Sequence, residues 1–329
     1  MFKTRSWSDY DRRTRRNQRV KRGVIIIFLS ILIVSGGVFF WSRRSSLGNN
    51  RKEILRLWEE ASYEDVFRIT QDKLQTNPLD YFLLTIHGMV SYQLAVAQIN
   101  NYDTLGYIDR CIWSLRKTFL INGEAKDGRI FYVLGKAYYE KGAGYTDLAV
   151  KFLEAARKVS YDAWDIPEYL GLAYAGIHDY HNSVAAFSLA LNPANDTERK
   201  VENNGRDPAI AVYPQDLLLL AIARSYLELD ESDTAKAYLL RCIETSRDSH
   251  VVITARFLLG GLLENSDDKE GAIAQYLTII EESGENAEAH YRLGELYASM
   301  GDTTRSRFEW RTAIRLDPTH KQARIRLNL

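Results

Sequence analysis

Two histidines in one short segment are the first residues whose type and spacing could do chemistry. His178 and His181 stand three positions apart in the sequence HDYH, a separation that suits two ligands of one metal ion. A zinc site needs further ligands, and no cysteine or other histidine lies near this pair in the sequence. The pair therefore favours a solvated turn over a metal site.

The rest of the sequence contains no motif of an enzyme active site. A phosphate-binding glycine loop, a G-x-S-x-G segment and an H-E-x-x-H segment are all missing from it. The acidic pairs Asp267-Asp268 and Glu281-Glu282 fall at a predicted turn and a predicted helix end, where charges are solvated. We expect no catalytic residue, no cofactor and no metal ion.

The elements that would position binding residues are clearest at residues 287–318. With Ala287 counted as position 1, a regular pattern places a Leu-Gly pair at 7 and 8, aromatic residues at 11 and 24, alanine at 27 and proline at 32; these residues are Leu293, Gly294, Tyr297, Trp310, Ala313 and Pro318. Small residues let two helices approach closely, and bulky residues fill the space between them. The pattern resembles a tetratricopeptide repeat (TPR), with His290 at position 4 and Ser306 at position 20 as mild departures.

The same pattern recurs upstream. A step of 34 residues back from Ala287 reaches Ile253, where Leu259 and Gly260 take positions 7 and 8. Further units begin near Gln215, Trp164 and Gly128, and two degenerate units precede them. The second of these carries His87-Gly88 in place of Leu-Gly, and its partner helix is expected to turn one face inward, formed by Cys111, Trp113, Leu115 and Phe119.

This resemblance implies an all-α TPR helical solenoid over residues 51–329, with about seven helix pairs of which five match well. The polar segment 192–213 is expected to form an insertion loop, either a tolerated surface insertion or a partner contact. Residues 320–329 are expected to form a capping helix, because the last repeat of a stack needs a cover. Cys111 and Cys242, about four repeats apart at apolar positions, are expected to be buried thiols and not a disulfide.

An uncharged run of 19 residues precedes the repeats, at 23–41. At about 1.5 Å per residue it would extend roughly 28 Å as a helix, close to the thickness of the hydrocarbon core of a bilayer. It is followed by a linker, 42–50. We expect a single transmembrane helix that acts as an uncleaved signal anchor. A cleaved signal peptide is the alternative, but the preceding segment of 22 residues is long and no A-x-A site follows.

Charge sets the expected orientation. The tail 1–22 has nine basic and two acidic residues, a net charge of +7, whereas only Arg43 and Arg44 follow the run closely. Positive charge stays on the cytoplasmic side. We expect a cytoplasmic N-terminus and a periplasmic solenoid anchored in a bacterial inner membrane. Residues 45–329 carry 32 basic and 41 acidic residues, a net charge of −9, which argues against nucleic acid as a partner.

The resemblance also implies where partners bind. In TPR arrays the first helix of each pair lines a concave groove, at about positions 2, 5, 6, 9, 12 and 13. Transferred to this sequence, the predicted groove residues are Tyr132, Lys136, Tyr139, Tyr169, Leu172, Leu220, Arg224, Phe257, Tyr291, Arg292 and Glu295. Aromatic residues with a few charges suit an extended peptide or a partner helix. The alternative is that some of these side chains pack between neighbouring helices.

Three hypotheses for function remain. The first is a membrane-tethered scaffold that mediates protein–protein interactions in assembly of a cell-envelope complex; membrane-anchored TPR proteins of this layout serve the flagellar collar, secretion, cytochrome maturation and outer-membrane assembly. The second is a periplasmic, chaperone-like holdase for exported clients. The third is an enzyme or regulator whose site the sequence does not reveal.

Overall fold

A computed structural model of the protein describes residues 48–98, 101–122, 127–191 and 215–329. The predicted tail 1–22, the predicted span 23–41 and the predicted loop 192–213 lie outside these residues. Contacts between Cα atoms divide the chain into two compact units. The described part of the first ends at Asp179, and the described part of the second comprises residues 180–191 and 215–329.

The described part of the first unit consists of helices. They are α1 (Gly48–Glu59), α2 (Tyr63–Thr76), α3 (Tyr81–Ala97), α4 (Asn101–Asn122), α5 (Gly128–Lys141), a 3-10 turn (Ala143–Tyr145), α6 (Thr146–Lys158) and α7 (Ile166–Gly176). The pairs α1–α2, α3–α4 and α5–α6 are antiparallel neighbours in contact, and each second helix also contacts the first helix of the next pair.

The described part of the second unit repeats this arrangement. Its helices are α8 (Tyr180–Leu191), α9 (Gln215–Glu228), α10 (Ser232–Thr245), α11 (Ser249–Asn265), α12 (Lys269–Ser283), α13 (Ala287–Ser299), α14 (Thr303–Leu316) and α15 (Lys321–Arg326). The pairs α9–α10, α11–α12 and α13–α14 stack in order, and α15 packs on α14. Within the ranges that the structure describes there is no strand, so the prediction of an all-α fold is confirmed for them.

Local sequence signals set the helix ends in the second unit. Asp268, Asn286 and Asp302 precede α12, α13 and α14, and each side chain accepts a hydrogen bond from a backbone N–H in the first turn. The turn between α13 and α14 contains Gly301 at φ 81°, in the left-handed region that glycine adopts without strain. These signals produce short turns, which keep the two helices of a pair adjacent.

The small residue at position 8 decides how closely two helices of a pair approach. A Cβ atom added to Gly294 would lie 2.5 Å from two ring atoms of Trp310, and one added to Gly260 would lie 2.7 Å from the ring of Tyr276. Both aromatic residues stand at position 24 of their units. The aromatic side chain of the second helix therefore occupies the space that glycine leaves on the first helix.

One prediction about the core was wrong. Cys111 and Leu115 are fully buried in α4 and Phe119 packs against the same core, but Trp113 is 52 % exposed. In an α-helix each residue advances about 100°, so Trp113 lies about 200° away from Cys111 and on the opposite face. Cys111 and Cys242 are buried free thiols.

Candidate functional site

The first helices α3, α5 and α7 of the first unit contact each other in order, and a cluster of polar aromatic residues lies where they meet. Its centre is Lys136 of α5. The Nζ atom of Lys136 lies 4.4 Å from the ring centroid of Tyr169, 4.9 Å from that of Tyr132 and 5.7 Å from that of Tyr92. A cation among aromatic rings is stabilised by their electron-rich faces.

Asp165, the residue before α7, neutralises this lysine. The Nζ atom of Lys136 donates to Asp165 Oδ2 at 2.7 Å, and the Tyr132 hydroxyl lies 2.8 and 2.9 Å from the two carboxylate oxygens of Asp165. The side chains of Lys136 and Asp165 are only 5 % and 4 % exposed. The three residues therefore form a buried and mutually satisfied network that joins α5 to the start of α7.

The ionisation of this network follows from its geometry. Burial by itself would lower the pKa of Lys136, but the nearby Asp165 carboxylate and the tyrosines outweigh it and raise the pKa well above the usual value. Burial and the negative charge of Asp165 both raise the pKa of Tyr132. At neutral pH the lysine is thus an ammonium ion and the tyrosine a neutral donor, which is an arrangement for holding helices together and not for proton transfer.

Two predicted groove residues lie at the edge of the network. Tyr139 and Tyr169 are partly buried and meet edge to face, with ring centroids 5.5 Å apart. Leu172, one turn further along α7, is also partly buried. Because Tyr169 also contacts the buried ammonium, its ring is held in place before any partner arrives.

The predicted groove residues of α9 and α11 are arranged differently. Leu220 is almost completely buried, and Arg224 and Phe257 are partly buried. Burial lowers the pKa of Arg224 to about 10, which leaves it charged at neutral pH. Phe257 packs on Tyr276 of its own pair, with ring centroids 5.8 Å apart. Arg224 and Phe257 lie on α9 and α11, two first helices that contact each other.

In the last repeat, two of the predicted residues contact α15 or its cap, and the third contacts its own helix. Tyr291 is buried, and its ring centroid lies 4.9 Å from that of His320, the residue that caps α15. Arg326 of α15 binds the Glu295 carboxylate through two nitrogens, Nε at 2.9 Å. Arg292 donates from Nε to Glu288 at 2.9 Å. The first helix of the last repeat is therefore contacted by the chain's own α15.

Sequence reasoning missed Asp165 and Tyr92. A signal for both was present, because in the unit that starts at Trp164, Asp165 stands at position 2, one of the groove positions. Tyr92 stands at position 12 of the unit that starts at Tyr81, the position that Tyr139 takes in the next unit. The members of the network thus stand at periodic positions of the repeat. The contact between Lys136, at position 9, and Asp165, at position 2 of the next unit, depends on how two helix pairs stack, which the sequence of one repeat does not reveal.

The histidines of the HDYH segment are both exposed. In the ranges covered by the structure, no group of three histidine, cysteine or carboxylate side chains is placed to hold a metal ion. In those same ranges no helix is both long and apolar enough to span a bilayer. The predicted span 23–41 lies outside them.

Models of the tetratricopeptide repeat match this chain at residues 218–249 and at residues 287–320. The second match begins at Ala287, where the sequence pattern placed the start of the last repeat. The prediction that the chain contains tetratricopeptide repeats is therefore confirmed.

Two solved structures share the fold. The C-terminal part of a TPR repeat-containing protein from Cytophaga hutchinsonii is 15 % identical, with a TM-score of 0.57 over 83 % of this chain and 97 % of that chain. PilW, described as a widely conserved type IV pilus biogenesis factor, is 14 % identical, with a TM-score of 0.51 over 73 % of this chain and 98 % of that chain. At these identities the similarity concerns the fold alone.

No curated protein matches the sequence. The chain thus contains tetratricopeptide repeats, and its fold is that of other TPR structures.

Proposed function

We propose that this chain is a membrane-tethered TPR scaffold that recruits protein partners during assembly of a cell-envelope complex. The tether is the uncharged run 23–41, which is long enough to cross a bilayer. The charge of +7 before it supports a cytoplasmic N-terminus, with the repeats on the periplasmic side of the inner membrane. The flagellar collar, secretion machinery and cytochrome maturation machinery are the candidate complexes.

The observation that carries the proposal is the ordered row of first helices in the first unit. Partner affinity depends on how much side-chain freedom is lost on binding, so surfaces that are rigid beforehand bind more tightly. Tyr169 is held against the Lys136 ammonium, and Tyr139 packs on Tyr169. These two partly buried rings are the centre of the proposed partner-binding groove, because tyrosine is enriched among the residues that dominate binding energy at protein interfaces.

The same geometry divides the predicted groove residues into two roles. Tyr132 and Lys136 are buried and bonded to Asp165, so they support the surface. Tyr139, Tyr169 and Leu172 retain exposure and are available to a peptide or partner helix. We assign partner contact to this second group.

Proximity labelling from the C-terminus of the full chain tests the scaffold proposal. A scaffold predicts one or a few partners that are recovered in fixed stoichiometry with this chain. Many unrelated exported proteins in place of a fixed set would favour the chaperone-like holdase and contradict the scaffold. A C-terminal reporter that is active only in the cytoplasm would contradict the proposed orientation.

A single substitution tests whether the first helices bind the partner. Tyr139→Ala should weaken the partner complex about tenfold or more, as loss of a central aromatic contact does, while the thermal unfolding of the chain changes little. Phe308→Ala is the matched control, because Phe308 is a 64 % exposed aromatic residue on a second helix. Loss of binding by Phe308→Ala with normal binding by Tyr139→Ala would place the interface elsewhere.

A further inference from the structure

Helix α4 of the first unit carries a row of exposed large apolar side chains. Tyr102 is 88 % exposed, Leu105 43 %, Trp113 52 % and Leu120 79 %. At about 100° per residue, the four side chains fall within an arc of about 80° around the helix, so they share one face. We refer to these four residues as the α4 stripe; at about 1.5 Å per residue it extends roughly 27 Å.

The α4 stripe differs from the other exposed apolar residues of the described chain. Among the helices that the structure describes, the others carry at most one large exposed apolar side chain each, such as Leu240 on α10 or Leu277 on α12. Single exposed apolar residues are ordinary on soluble proteins, whereas a continuous patch marks an interaction surface.

Repeat packing does not account for the α4 stripe. The opposite face of α4 is fully buried through Ile108, Cys111 and Leu115. That face fixes the helix in the stack, and an added Cβ on Gly88 of α3 would lie 2.5 Å from Leu115. Because the opposite face of α4 is fixed in the core, the α4 stripe stays on the surface.

Cations flank the α4 stripe. The Nζ atom of Lys117 lies 3.6 Å from the ring centroid of Trp113, and Arg116 is exposed and donates to the Tyr138 hydroxyl at 3.0 Å. On the same face, the carboxylate of Asp109 is paired with Lys141 at 2.8 Å. Trp, Tyr and Leu on one face with Lys and Arg beside them are the side chains of helices that lie in the headgroup region of a bilayer.

We propose that the α4 stripe lies on an anionic lipid bilayer, parallel to its surface and next to the tether. This inference rests on the proposed membrane tether. Only residues 42–47 separate the predicted span from α1, and six residues reach at most about 20 Å when fully extended. Helix α1 begins the described part of the first unit, and α4 belongs to the second helix pair of that unit. The short connection to the predicted span would therefore keep this unit close to the bilayer.

The chemistry and dimensions of the stripe agree with this partner. Trp113 and Tyr102 have an apolar ring with a polar atom, which suits the boundary between acyl chains and headgroups. Lys117 and Arg116 would meet lipid phosphates, and cations near an anionic membrane surface are attracted to it. A flat bilayer also contacts all four residues at once, because they share one face of a straight helix.

Site-directed spin labelling of the full chain in vesicles of phosphatidylcholine and phosphatidylglycerol tests the proposal. Cys111 and Cys242 are each 0 % exposed, so a nitroxide reagent labels an introduced cysteine selectively. Leu105→Cys and Leu277→Cys form a matched pair, since the native side chains are 43 % and 41 % exposed. For each label, the ratio of the collision rate with oxygen to the collision rate with a water-soluble nickel chelate is measured. This ratio should be several-fold higher for the label at 105 than for the label at 277.

Three outcomes would overturn the proposal. A label at 105 that reaches the nickel chelate as readily as the label at 277 would place the stripe in water. A label at 105 shielded from both reagents would indicate a protein surface, such as a second copy or a partner. An oxygen preference that is unchanged in vesicles of phosphatidylcholine alone would remove the role of the anionic headgroups.

Vesicle flotation after an alkaline wash separates this proposal from the tether. A chain that floats with the vesicles while its label at 105 stays in water would leave the tether intact and overturn only the α4 stripe. A chain that does not float would contradict the membrane tether, and the inference that rests on it would fall as well.

Discussion

The ion pair between Lys136 and Asp165 in the first unit is almost completely buried, with side chains 5 % and 4 % exposed. In the second unit the pair between Arg256 and Glu282 keeps 19 % and 43 % of its side chains exposed, at a distance of 3.3 Å. Both pairs join helices of a repeat stack. Water screens the second pair, so that pair contributes little to the stability of the fold. In the first pair, removal of one partner would leave the other as an uncompensated buried charge.

The two units also differ at positions 7 and 8 of their first helices. In the second unit Gly260 and Gly294 receive the aromatic rings of Tyr276 and Trp310. In the first unit Gly88 faces the aliphatic side chain of Leu115 instead. The residue before Gly88 is His87, where leucine is usual, and its Nδ1 lies 2.8 Å from the hydroxyl of Thr70 on α2, the second helix of the preceding pair. The degenerate repeat thus has a buried polar contact between pairs, whose stability depends on the protonation of His87.

Removal of one partner of the buried ion pair should have the largest effect. Asp165→Ala leaves the Lys136 ammonium buried without its carboxylate, and we expect a loss of about 3–5 kcal/mol of unfolding free energy. Urea denaturation of the full chain in detergent, followed by far-UV circular dichroism, measures this loss. The double variant Lys136→Met with Asp165→Leu should recover most of it, because no charge is then left in the core. Equal losses in the single and double variants would show that the charge is not the cause.

Two adjacent glycines of α11 test the apolar contacts of the second unit. A Cβ on Gly260 would lie 2.7 Å from the buried Tyr276 ring, whereas one on Gly261 would meet no atom within 4 Å. Gly260→Ala should therefore be about 1–3 kcal/mol less stable than Gly261→Ala, and Gly261→Ala should be as stable as the native chain or up to about 1 kcal/mol more stable. Thermal melts of the two variants compare them directly. Similar melting temperatures would mean that the ring can move away from its glycine at little cost.

Acid should weaken the first unit through His87. Burial, with a smaller effect of the positive charge of Arg110, lowers the pKa of His87 from 6.5 to about 4. The unfolded chain binds a proton below pH 6.5 while the folded chain does so only near pH 4, so stability falls as the pH decreases between these values. The loss from pH 7 to pH 5 is about 2 kcal/mol.

The variant His87→Leu provides the control for this prediction, since leucine is the usual residue at this position of the repeat. Its unfolding free energy should lack the part of the pH dependence that His87 contributes. Urea titrations at a series of pH values measure the slope for both proteins. An identical slope in the variant and the native chain would exclude His87 as its source.

The smallest effect is expected at the open ion pair of the second unit. Glu282→Ala removes a 43 % exposed carboxylate from Arg256, which also donates to Gln275 at 3.1 Å. We expect a change of no more than about 0.5 kcal/mol, which added salt reduces further. A loss as large as that of Asp165→Ala would contradict the comparison between the buried and the open pair.

The fold was predictable because its signals are local and periodic. Leu293, Gly294 and Trp310 recur with a spacing that only a helix pair explains, and the structure places α13 and α14 where that spacing put them. The wrong assignment of Trp113 to the buried face also had a local cause. Trp113 lies two residues, about 200°, from Cys111 around α4 and therefore on the opposite face.

The candidate site was predictable only in part. The positions of the repeat placed Tyr132, Lys136, Tyr139 and Tyr169 on the first helices, and the structure brings these four together. Their roles differ because burial depends on the neighbouring pair, which the position within one repeat does not reveal. Whether a partner binds beside Tyr139 and Tyr169 stays a prediction.

The sequence by itself determined the helices, their pairing and the close approach at each position-8 glycine, because these features depend on residues within one repeat. The tertiary structure alone decided that Lys136 is neutralised by Asp165, 29 residues later and in the next pair. It also decided which aromatic residues keep an exposed ring and which support the others. The physical reason is that the desolvation of a charge is a property of all the helices around it, and those helices meet only when the pairs have stacked.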